Sequence, residues 1–230
     1  MNKTLLKAAL VIPALVVAAS NAQAVATLQI SDGVNTVTIA DGSGTDNSGI
    51  TGIVGWSGSI GVWEVTVSGK TKPSLGGGTA TDPKQSVISI SASSDASGNL
   101  TILFGDTDYG PVDQNANFIA DITPSKLGNS MTYNTYADLG NTLFGNTTAI
   151  TSSGVMTVAN VANIKSASTA STVGTDASFA LTSAFVITHG KGVKETTFDA
   201  NLTTVPDAGA SVALLGIGLV GLGVLRRRMA

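Results

Sequence analysis

The chain has 230 residues, with 12 Lys and Arg against 15 Asp and Glu, and its 12% charged content is about half of the roughly 25% typical of soluble globular domains. The absence of cysteine excludes disulfides, thiolate zinc sites and cysteine nucleophiles, and a single histidine excludes a multi-histidine metal centre. With a formal net charge of −3, no nucleic-acid partner is predicted, because phosphates need clustered Lys and Arg.

Residues 1–24 have the three-part layout of a secretory signal peptide. Lys3 and Lys7 precede an apolar run from Ala8 to Ala19, and the small-residue pattern Ala22-Gln23-Ala24 follows. The run is shorter than the roughly 20 residues that a membrane-spanning helix needs. We therefore predict an N-terminal signal helix that signal peptidase removes after Ala24, during export across the inner membrane.

The middle of the chain alternates apolar and polar residues with a period of two, which is typical of strands with one buried face. Leu28 and Ile30 precede Asp32-Gly33, and Val37 and Ile39 follow, so a hairpin with a two-residue turn is predicted. Further alternating runs are Trp63-Val65-Val67, Ile88-Ile90, Leu100-Ile102-Phe104 and Phe179-Leu181-Phe185-Ile187. Turn-rich segments separate them, at Asp41 to Gly49, Gly76 to Gly78 and Ser93 to Asn99.

Many short strands between Gly- and Ser-rich turns predict one all-β domain over residues 25–204, an antiparallel β-sandwich of jelly-roll-like type. A parallel β-solenoid is the alternative, but the chain lacks the fixed-period repeats on which solenoids depend. Within this range seven lysines stand against fourteen acids, so the domain is acidic. All eleven aromatic residues lie here and are enough for one compact core.

The segment from Asp106 to Asp113 is the strongest candidate metal site. Asp106, Asp108 and Asp113 place three carboxylates around a turn, and Ca²⁺ prefers such oxygen-rich loops. The spacing does not match an EF-hand, and the alternative is that these side chains cap the turn by accepting backbone N–H hydrogen bonds. The loop from Asp41 to Asn47 is a similar, weaker candidate. Calcium is the one cofactor that the sequence suggests.

Candidate catalytic residues are few. His189 stands at the end of a predicted strand without a Gly-x-Ser-x-Gly motif elsewhere, and a turn or surface histidine is favoured. Glu64 and Glu195 are the only glutamates and would have to form the carboxylate pair that a glycosidase needs. The strand pattern instead places Glu64 on an outward face. We predict a domain that is not an enzyme.

Residues 205–230 combine a short motif, an apolar segment and a basic end. Val205-Pro206-Asp207-Ala208-Gly209 precedes the apolar stretch from Ala210 to Leu225. As a helix this stretch measures about 24 Å, so it is predicted to span a membrane only marginally. Arg226, Arg227 and Arg228 follow it and are predicted to stay on the cytoplasmic side, which leaves the domain outside.

This tail resembles the PEP-CTERM type of sorting signal, in the variants that begin Val-Pro-Asp-Gly-Gly or Val-Pro-Asp-Ser-Gly. Val205, Pro206, Asp207 and Gly209 match these variants, whereas Ala208 replaces Gly or Ser. The resemblance implies that an exosortase recognises the tail and removes it, while the helix holds the protein transiently in the inner membrane. The alternative is a permanent tail anchor without processing.

Four segments of the middle resemble an uncharacterised β-domain that recurs in PEP-CTERM proteins: Leu28–Ile39, Gly61–Trp63, Leu100–Pro111 and Thr196–Ala200. The resemblance implies a dedicated exported domain and names no activity. We therefore expect a cell-surface or extracellular protein with a structural or adhesive role beside exopolysaccharide.

The alternative function is a carbohydrate-binding or carbohydrate-active protein that uses the acidic loops together with calcium. Trp56, Trp63 or Tyr133 would then stack on sugar rings. Plain core packing of these three aromatic residues is the favoured interpretation.

Overall fold

The computed structural model describes residues 25–73, 75, 82–110, 112, 117–158, 164–167 and 177–205. Within these ranges the chain forms thirteen β-strands in two antiparallel sheets. No helix in this described part is long and apolar enough to cross a membrane. The predicted signal helix (1–24) and the predicted transmembrane helix (210–225) lie outside the described residues.

The strands are β1 (Thr27–Ser31), β2 (Thr36–Ala40), β3 (Ile53–Ile60), β4 (Trp63–Lys70), β5 (Lys84–Ser94), β6 (Gly98–Tyr109), β7 (Asn117–Lys126), β8 (Ser130–Asp138), β9 (Thr148–Ser152), β10 (Met156–Thr157), β11 (Ile164–Ala167), β12 (Phe179–His189) and β13 (Lys194–Val205). The first sheet has the order β10-β8-β12-β6-β1-β2, and β9 also pairs with β8. The second sheet has the order β11-β7-β13-β5-β4-β3. The prediction of an all-β sandwich is confirmed.

The chain crosses repeatedly between the sheets. Strands β5, β6, β7 and β8 alternate between the second and the first sheet, and the late strands β12 and β13 take central positions. β12 lies between β6 and β8, while β13 lies between β5 and β7. Pairing between distant segments therefore builds both sheet centres, and the C-terminal strand of the domain is an interior strand.

The core lies between the two inner faces, where the alternating apolar residues meet. Leu100, Ile102 and Phe104 of β6 are fully buried, as their spacing predicts. In the second sheet Trp63, Val65 and Val67 are buried while Glu64 is exposed, which confirms the predicted orientation of β4. Other large buried side chains include Leu28, Ile30, Ile39, Ile90, Tyr109, Phe118, Tyr133, Phe179 and Phe185.

The first hairpin differs from the prediction in its turn. Ser31 pairs with Thr36, so four residues rather than two connect β1 and β2. The carboxylate of Asp32 causes the longer turn, because its Oδ1 accepts hydrogen bonds from the N–H groups of Val34 and Asn35 at 2.9 and 2.6 Å. Leu28 and Ile30 keep their predicted inward orientation.

The pattern in β5 is interrupted by a bulge at Ser89. Ser89 has a φ of 55°, and its N–H donates to Asp199 Oδ1 at 2.7 Å. The extra residue reverses the side-chain alternation, so Val87 and Ile90 are buried while Ile88 is only half-buried. The prediction that Ile88 and Ile90 share one face is therefore wrong.

Candidate functional site

Two of the predicted calcium ligands point to different places. Asp106 is 1% exposed and faces the space between the sheets, whereas Asp108 lies at the surface end of β6. Asp108 Oδ1 accepts a hydrogen bond from Asn141 Nδ2 at 2.6 Å, and its N–H donates to Asn141 Oδ1 at 2.8 Å. Asp113 lies outside the described residues. Among the residues that the structure describes, no three acidic or histidine side chains form a group able to hold a metal ion.

The second candidate loop binds its own backbone. Asp46 Oδ1 accepts hydrogen bonds from the N–H groups of Ser48 and Gly55 at 2.9 and 2.8 Å. Asp41 Oδ2 accepts one from the N–H of Gly52 at 2.6 Å. For this loop the sequence favoured a flexible polar segment, whereas these hydrogen bonds tie both carboxylates to the backbone.

Asp106 belongs to a buried polar cluster that joins the two sheets. We call Thr71, Lys72, Asp106 and Tyr109 the inter-sheet cluster. Thr71 and Lys72 follow β4 of the second sheet, while Asp106 and Tyr109 lie on β6 of the first. Lys72 Nζ is 3.3 Å from Asp106 Oδ2, and Thr71 Oγ1 donates to the same oxygen at 3.1 Å. Lys72 Nζ also lies 4.0 Å from the centroid of the Tyr109 ring.

Hydrogen bonds extend around this cluster. The hydroxyls of Thr71 and Tyr109 contact each other, and Lys72 Nζ donates to the carbonyl of Thr107. Asp106 Oδ1 accepts from the N–H of Thr107 at 2.8 Å. In the described part of the molecule, every buried side-chain nitrogen or oxygen has a hydrogen-bond partner. The cluster is therefore fully bonded in spite of its burial.

Burial shifts the protonation equilibria of this cluster. The pKa of Asp106 is raised because its carboxylate is removed from water, and the attraction of Lys72 offsets only part of that effect. The pKa of Lys72 is lowered for the same reason, against the attraction of Asp106. The pKa of Tyr109 is raised well above its usual value by burial and by the nearby Asp106 carboxylate. The surroundings thus shift the protonation equilibrium of each of these three groups toward its neutral form.

His189 is buried, although the sequence favours a turn or surface position. It ends β12, is 2% exposed, and its ring centroid lies 4.5 Å from that of Trp63. Its Nδ1 is 2.9 Å from Ser94 Oγ, and its Nε2 is 2.9 Å from Thr196 Oγ1. Both ring nitrogens thus bond to hydroxyl groups, and among the described residues no Ser-His-Asp arrangement is formed around this ring. Burial lowers the pKa of His189, with a further contribution from Lys194.

Glu64 and Glu195 lie on the outer face of the second sheet, on either side of Ser93. Ser93 pairs with Glu64 on β4 and with Glu195 on β13, so the two glutamates are two strands apart. Glu64 Oε1 accepts from Ser59 Oγ at 2.6 Å, whereas Glu195 Oε2 is 2.5 Å from Lys126 Nζ. Both glutamates therefore lie next to Ser93, but each carboxylate bonds to a different side chain.

Shallow grooves adjoin these glutamates. One, of about 620 Å³, includes Glu195, Lys126 and the exposed Val193. The other, of about 330 Å³, includes Glu64, Asp95 and the same valine. Among the described residues, neither lining includes an aromatic side chain. Carboxylates and an aromatic platform therefore do not meet in these grooves.

The three aromatic candidates for sugar stacking are mainly core residues. Trp63 and Tyr133 are 1% and 2% exposed, and the Tyr133 ring stacks on Phe185 with centroids 4.6 Å apart. Trp56 is half-buried and packs against the same core. Core packing, the favoured interpretation from the sequence, is confirmed for Trp63 and Tyr133.

The predicted sorting motif begins where the domain ends. Val205 is the last residue of β13 and pairs with Asn117 of β7. The preceding residue, Thr204, donates its hydroxyl proton to Asp82 Oδ1 at 2.7 Å. Pro206, Asp207, Gly209 and Arg226, Arg227 and Arg228 lie outside the described residues, as do Ala22 and Ala24 of the predicted cleavage site. The motif thus follows an interior strand without a linker.

The C-terminal segment is similar to sorting signals of the PEP-CTERM type. Residues 204–229 match the family model described as the VPDSG-CTERM motif. The match covers the tail and leaves the β-domain without a family assignment. No curated protein matches the chain.

Sequence reasoning missed the inter-sheet cluster. Lys72 stands beside Pro73 in an unpatterned segment, and nothing in the local sequence associates it with Asp106. Their contact depends on how the two sheets are superposed. The one available signal was an isolated acid, Asp106, in an inward-facing position of a strand otherwise occupied by Leu100, Ile102 and Phe104.

Proposed function

We propose that the chain is an exported protein that an exosortase processes at its C-terminus, releasing or attaching the β-sandwich at the cell surface or in the extracellular matrix. The observation that carries this proposal is the match of residues 204–229 to the VPDSG-CTERM motif. Such a motif suggests export and implies exosortase as the processing partner. The signal-peptide pattern of residues 1–24 agrees with entry into the export route.

The position of the motif supports processing of a complete domain. Because β13 ends at Val205, all thirteen strands that the structure describes precede Pro206. Cleavage anywhere after Val205 would leave the described strands of both sheets intact. The product would then be a self-contained sandwich rather than a truncated one.

The test is the intact mass of the protein recovered from its native host, with and without the exosortase. We expect loss of the tail in the wild-type strain alone. A variant with Pro206→Ala and Asp207→Ala should keep the tail, whereas Ser211→Ala, just beyond the motif, serves as the matched control and should still be processed. A mass that retains Arg226 to Arg228 in both strains would contradict the proposal and favour a permanent tail anchor.

For the sandwich itself we propose a structural or adhesive role without catalysis, in contact with exopolysaccharide. The outer face of the second sheet supports this role, because a row of hydroxyl side chains crosses it: Ser57, Thr66, Ser91, Thr197 and Ser125. Ser57 and Thr66 lie 3.0 Å apart, and Ser125 and Thr197 lie 2.7 Å apart. A jelly-roll-like connectivity is part of the same proposal, supported by the alternation of β5 to β8 and the central positions of β12 and β13.

A second candidate is specific saccharide binding in the groove that includes Glu64 and Asp95. Carboxylates arranged along a groove can accept hydrogen bonds from sugar hydroxyls. The two proposals differ in co-sedimentation with exopolysaccharide from the host. A Glu64→Gln, Asp95→Asn variant should lose binding if this groove is the site and retain it if the hydroxyl row carries adhesion. Asp121→Asn, Asp199→Asn removes the same number of negative charges outside the groove and is the control.

A further inference from the structure

The inter-sheet cluster holds an amine and a carboxyl group in contact. Lys72 Nζ lies 3.3 Å from Asp106 Oδ2, so the amine is held beside the carboxyl group whose carbon, Cγ, carries that oxygen. The two residues belong to different sheets, so the contact bridges the sandwich. We propose that Lys72 and Asp106 form an intramolecular isopeptide bond, an amide between Nζ of Lys72 and Cγ of Asp106.

The surroundings of the pair favour an amide over an ion pair. Asp106 is 1% exposed, Thr71 and Tyr109 are fully buried, and the Lys72 side chain is 15% exposed. The Tyr109 ring covers the amine at 4.0 Å. Removing a charged pair from water carries a large desolvation cost that the mutual attraction repays only in part. Condensation removes both charges and with them this cost.

The protonation equilibria support the same reaction. Only a neutral amine is a nucleophile, and a protonated carboxyl group loses water more readily than a carboxylate. Burial lowers the pKa of Lys72 and raises the pKa of Asp106. A proton passing from Nζ to Oδ2 therefore produces the reactive neutral pair.

The hydrogen bonds around Asp106 match the needs of each step. The lone pair of Lys72 Nζ attacks Cγ, and the negative charge that develops on Oδ1 faces the N–H of Thr107, at 2.8 Å. Oδ2 is the leaving oxygen: it takes the second proton directly from Nζ, 3.3 Å away, while the hydroxyl of Thr71 donates a hydrogen bond to it at 3.1 Å. One C–N bond forms, one C–O bond breaks, and one water molecule leaves. No oxidant or other reactant is needed.

The bond would give this chain a covalent link that its composition otherwise excludes. The sequence contains no cysteine, so disulfides cannot join its sheets. An amide between Lys72 and Asp106 would connect the end of β4 to β6 and close the intervening segment, which includes the whole of β5. Cross-links of this kind stabilise a fold by restricting its unfolded state.

The test is the intact mass of the full chain, purified folded and denatured before measurement. The wild type should lack one water relative to its processed sequence, and tandem mass spectrometry should place the link between Lys72 and Asp106. Lys72→Arg should have its full mass, because the guanidinium does not condense. Lys84→Arg, which alters the exposed ion pair with Asp82, is the matched control and should still lack one water.

The variant Asp106→Asn provides a second test, which does not require Lys72→Arg to fold. An asparagine side chain would release ammonia instead of water and form the same amide, so this variant and the wild type should have identical masses. Without the link, their masses would differ by the difference between Asp and Asn. A full-mass wild type, or a water loss located at another residue, would overturn the proposal. Either result would leave the exosortase proposal untouched.

Discussion

His189 Nε2 lies 2.9 Å from Thr196 Oγ1, on the side of the ring opposite to Ser94. Ser94 donates its hydroxyl proton to the carbonyl of Ala96 at 3.0 Å, so its oxygen accepts a hydrogen bond from Nδ1–H. Thr196 Oγ1 accepts from the N–H of Gly128 at 3.0 Å and donates its own proton to Nε2. The hydrogen bonds therefore suit a neutral imidazole with its proton on Nδ1.

The first prediction concerns pH. Because the pKa of His189 is lowered in the folded protein from the ordinary 6.5, the unfolded chain binds a proton at a higher pH than the folded chain does. Stability should therefore fall as the pH decreases below about 6.5 and level off below the folded pKa. The measurement is the free energy of unfolding in urea between pH 7.5 and 5.5, above the range where ordinary carboxylates titrate.

His189→Gln is the control for this prediction. The chain has one histidine, so the decrease should be absent from the variant. In a chain whose Asp106 is not joined to Lys72, Asp106 acts in the opposite direction, since its pKa is raised and its contribution is lost as pH rises through the folded value. A decrease of equal size in both proteins would show that His189 is not its source.

The alternation of apolar and polar residues predicted which face of a regular strand is buried. The buried faces of β4 and β6 followed from alternation alone, because side chains in a regular strand point to opposite sides. Ile88 was misplaced because the bulge at Ser89 depends on Asp199 of the partner strand β13. Register shifts of this kind arise from pairing between distant segments, which a single sequence does not display.

The same distinction applies to the candidate sites. The tail was predicted because Val205-Pro206-Asp207 and the residues after it are contiguous in sequence. The burial of His189 and the contact of Lys72 with Asp106 depend on strands from both sheets. The relative position of the two sheets could not be predicted from the sequence. Asp106 was read as a loop ligand because its position in β6, facing Lys72, became apparent only in the folded structure.

The second prediction tests a close packing contact in the core. A Cβ at Gly69 would lie 2.4 Å from Cε2 of Phe104, which is fully buried and has no room to withdraw. Gly69→Ala should therefore lower the free energy of unfolding by about 1–3 kcal/mol, as overpacking usually does. Gly190→Ala is the matched control, because no atom lies within 4 Å of its added methyl group. Denaturation curves that coincide for the two variants would rule out this contact.

The third prediction concerns the reciprocal hydrogen bonds between Asp108 and Asn141. Asn141→Asp would replace the Nδ2 donor, now 2.6 Å from Asp108 Oδ1, by a second carboxylate. We expect a loss of about 1–3 kcal/mol from the unpaired acceptors, and part of it should return in acid as one carboxylate is protonated. Asn141→Gly removes the same bonds without adding charge and suits the φ of 56°. If Asn141→Asp is no less stable than Asn141→Gly by urea denaturation, charge repulsion is not involved.

The fourth prediction concerns calcium. A ligand that binds the folded state raises its melting temperature. Because Asp106 is enclosed with Lys72 and Asp108 is bonded to Asn141, we expect no difference in melting temperature between excess Ca²⁺ and excess chelator. An increase with Ca²⁺ that disappears in Asp108→Asn would instead establish the acidic segment, including Asp113, as a calcium site.

The fifth prediction concerns the boundary between domain and tail. The last strand, β13, pairs with β5 and β7 along its length, and its Ala200 and Leu202 are buried in the core. A chain that ends at Val205 should therefore unfold at the same temperature as the protein that carries the tail. A chain that ends at Phe198 should fail to fold, because it loses core residues. It also lacks about half of β13, the strand that pairs with both β5 and β7. Circular dichroism and thermal denaturation distinguish these outcomes. Stable folding of the shorter chain would mean that β13 is dispensable, and the sorting motif would then not mark the edge of the folded domain.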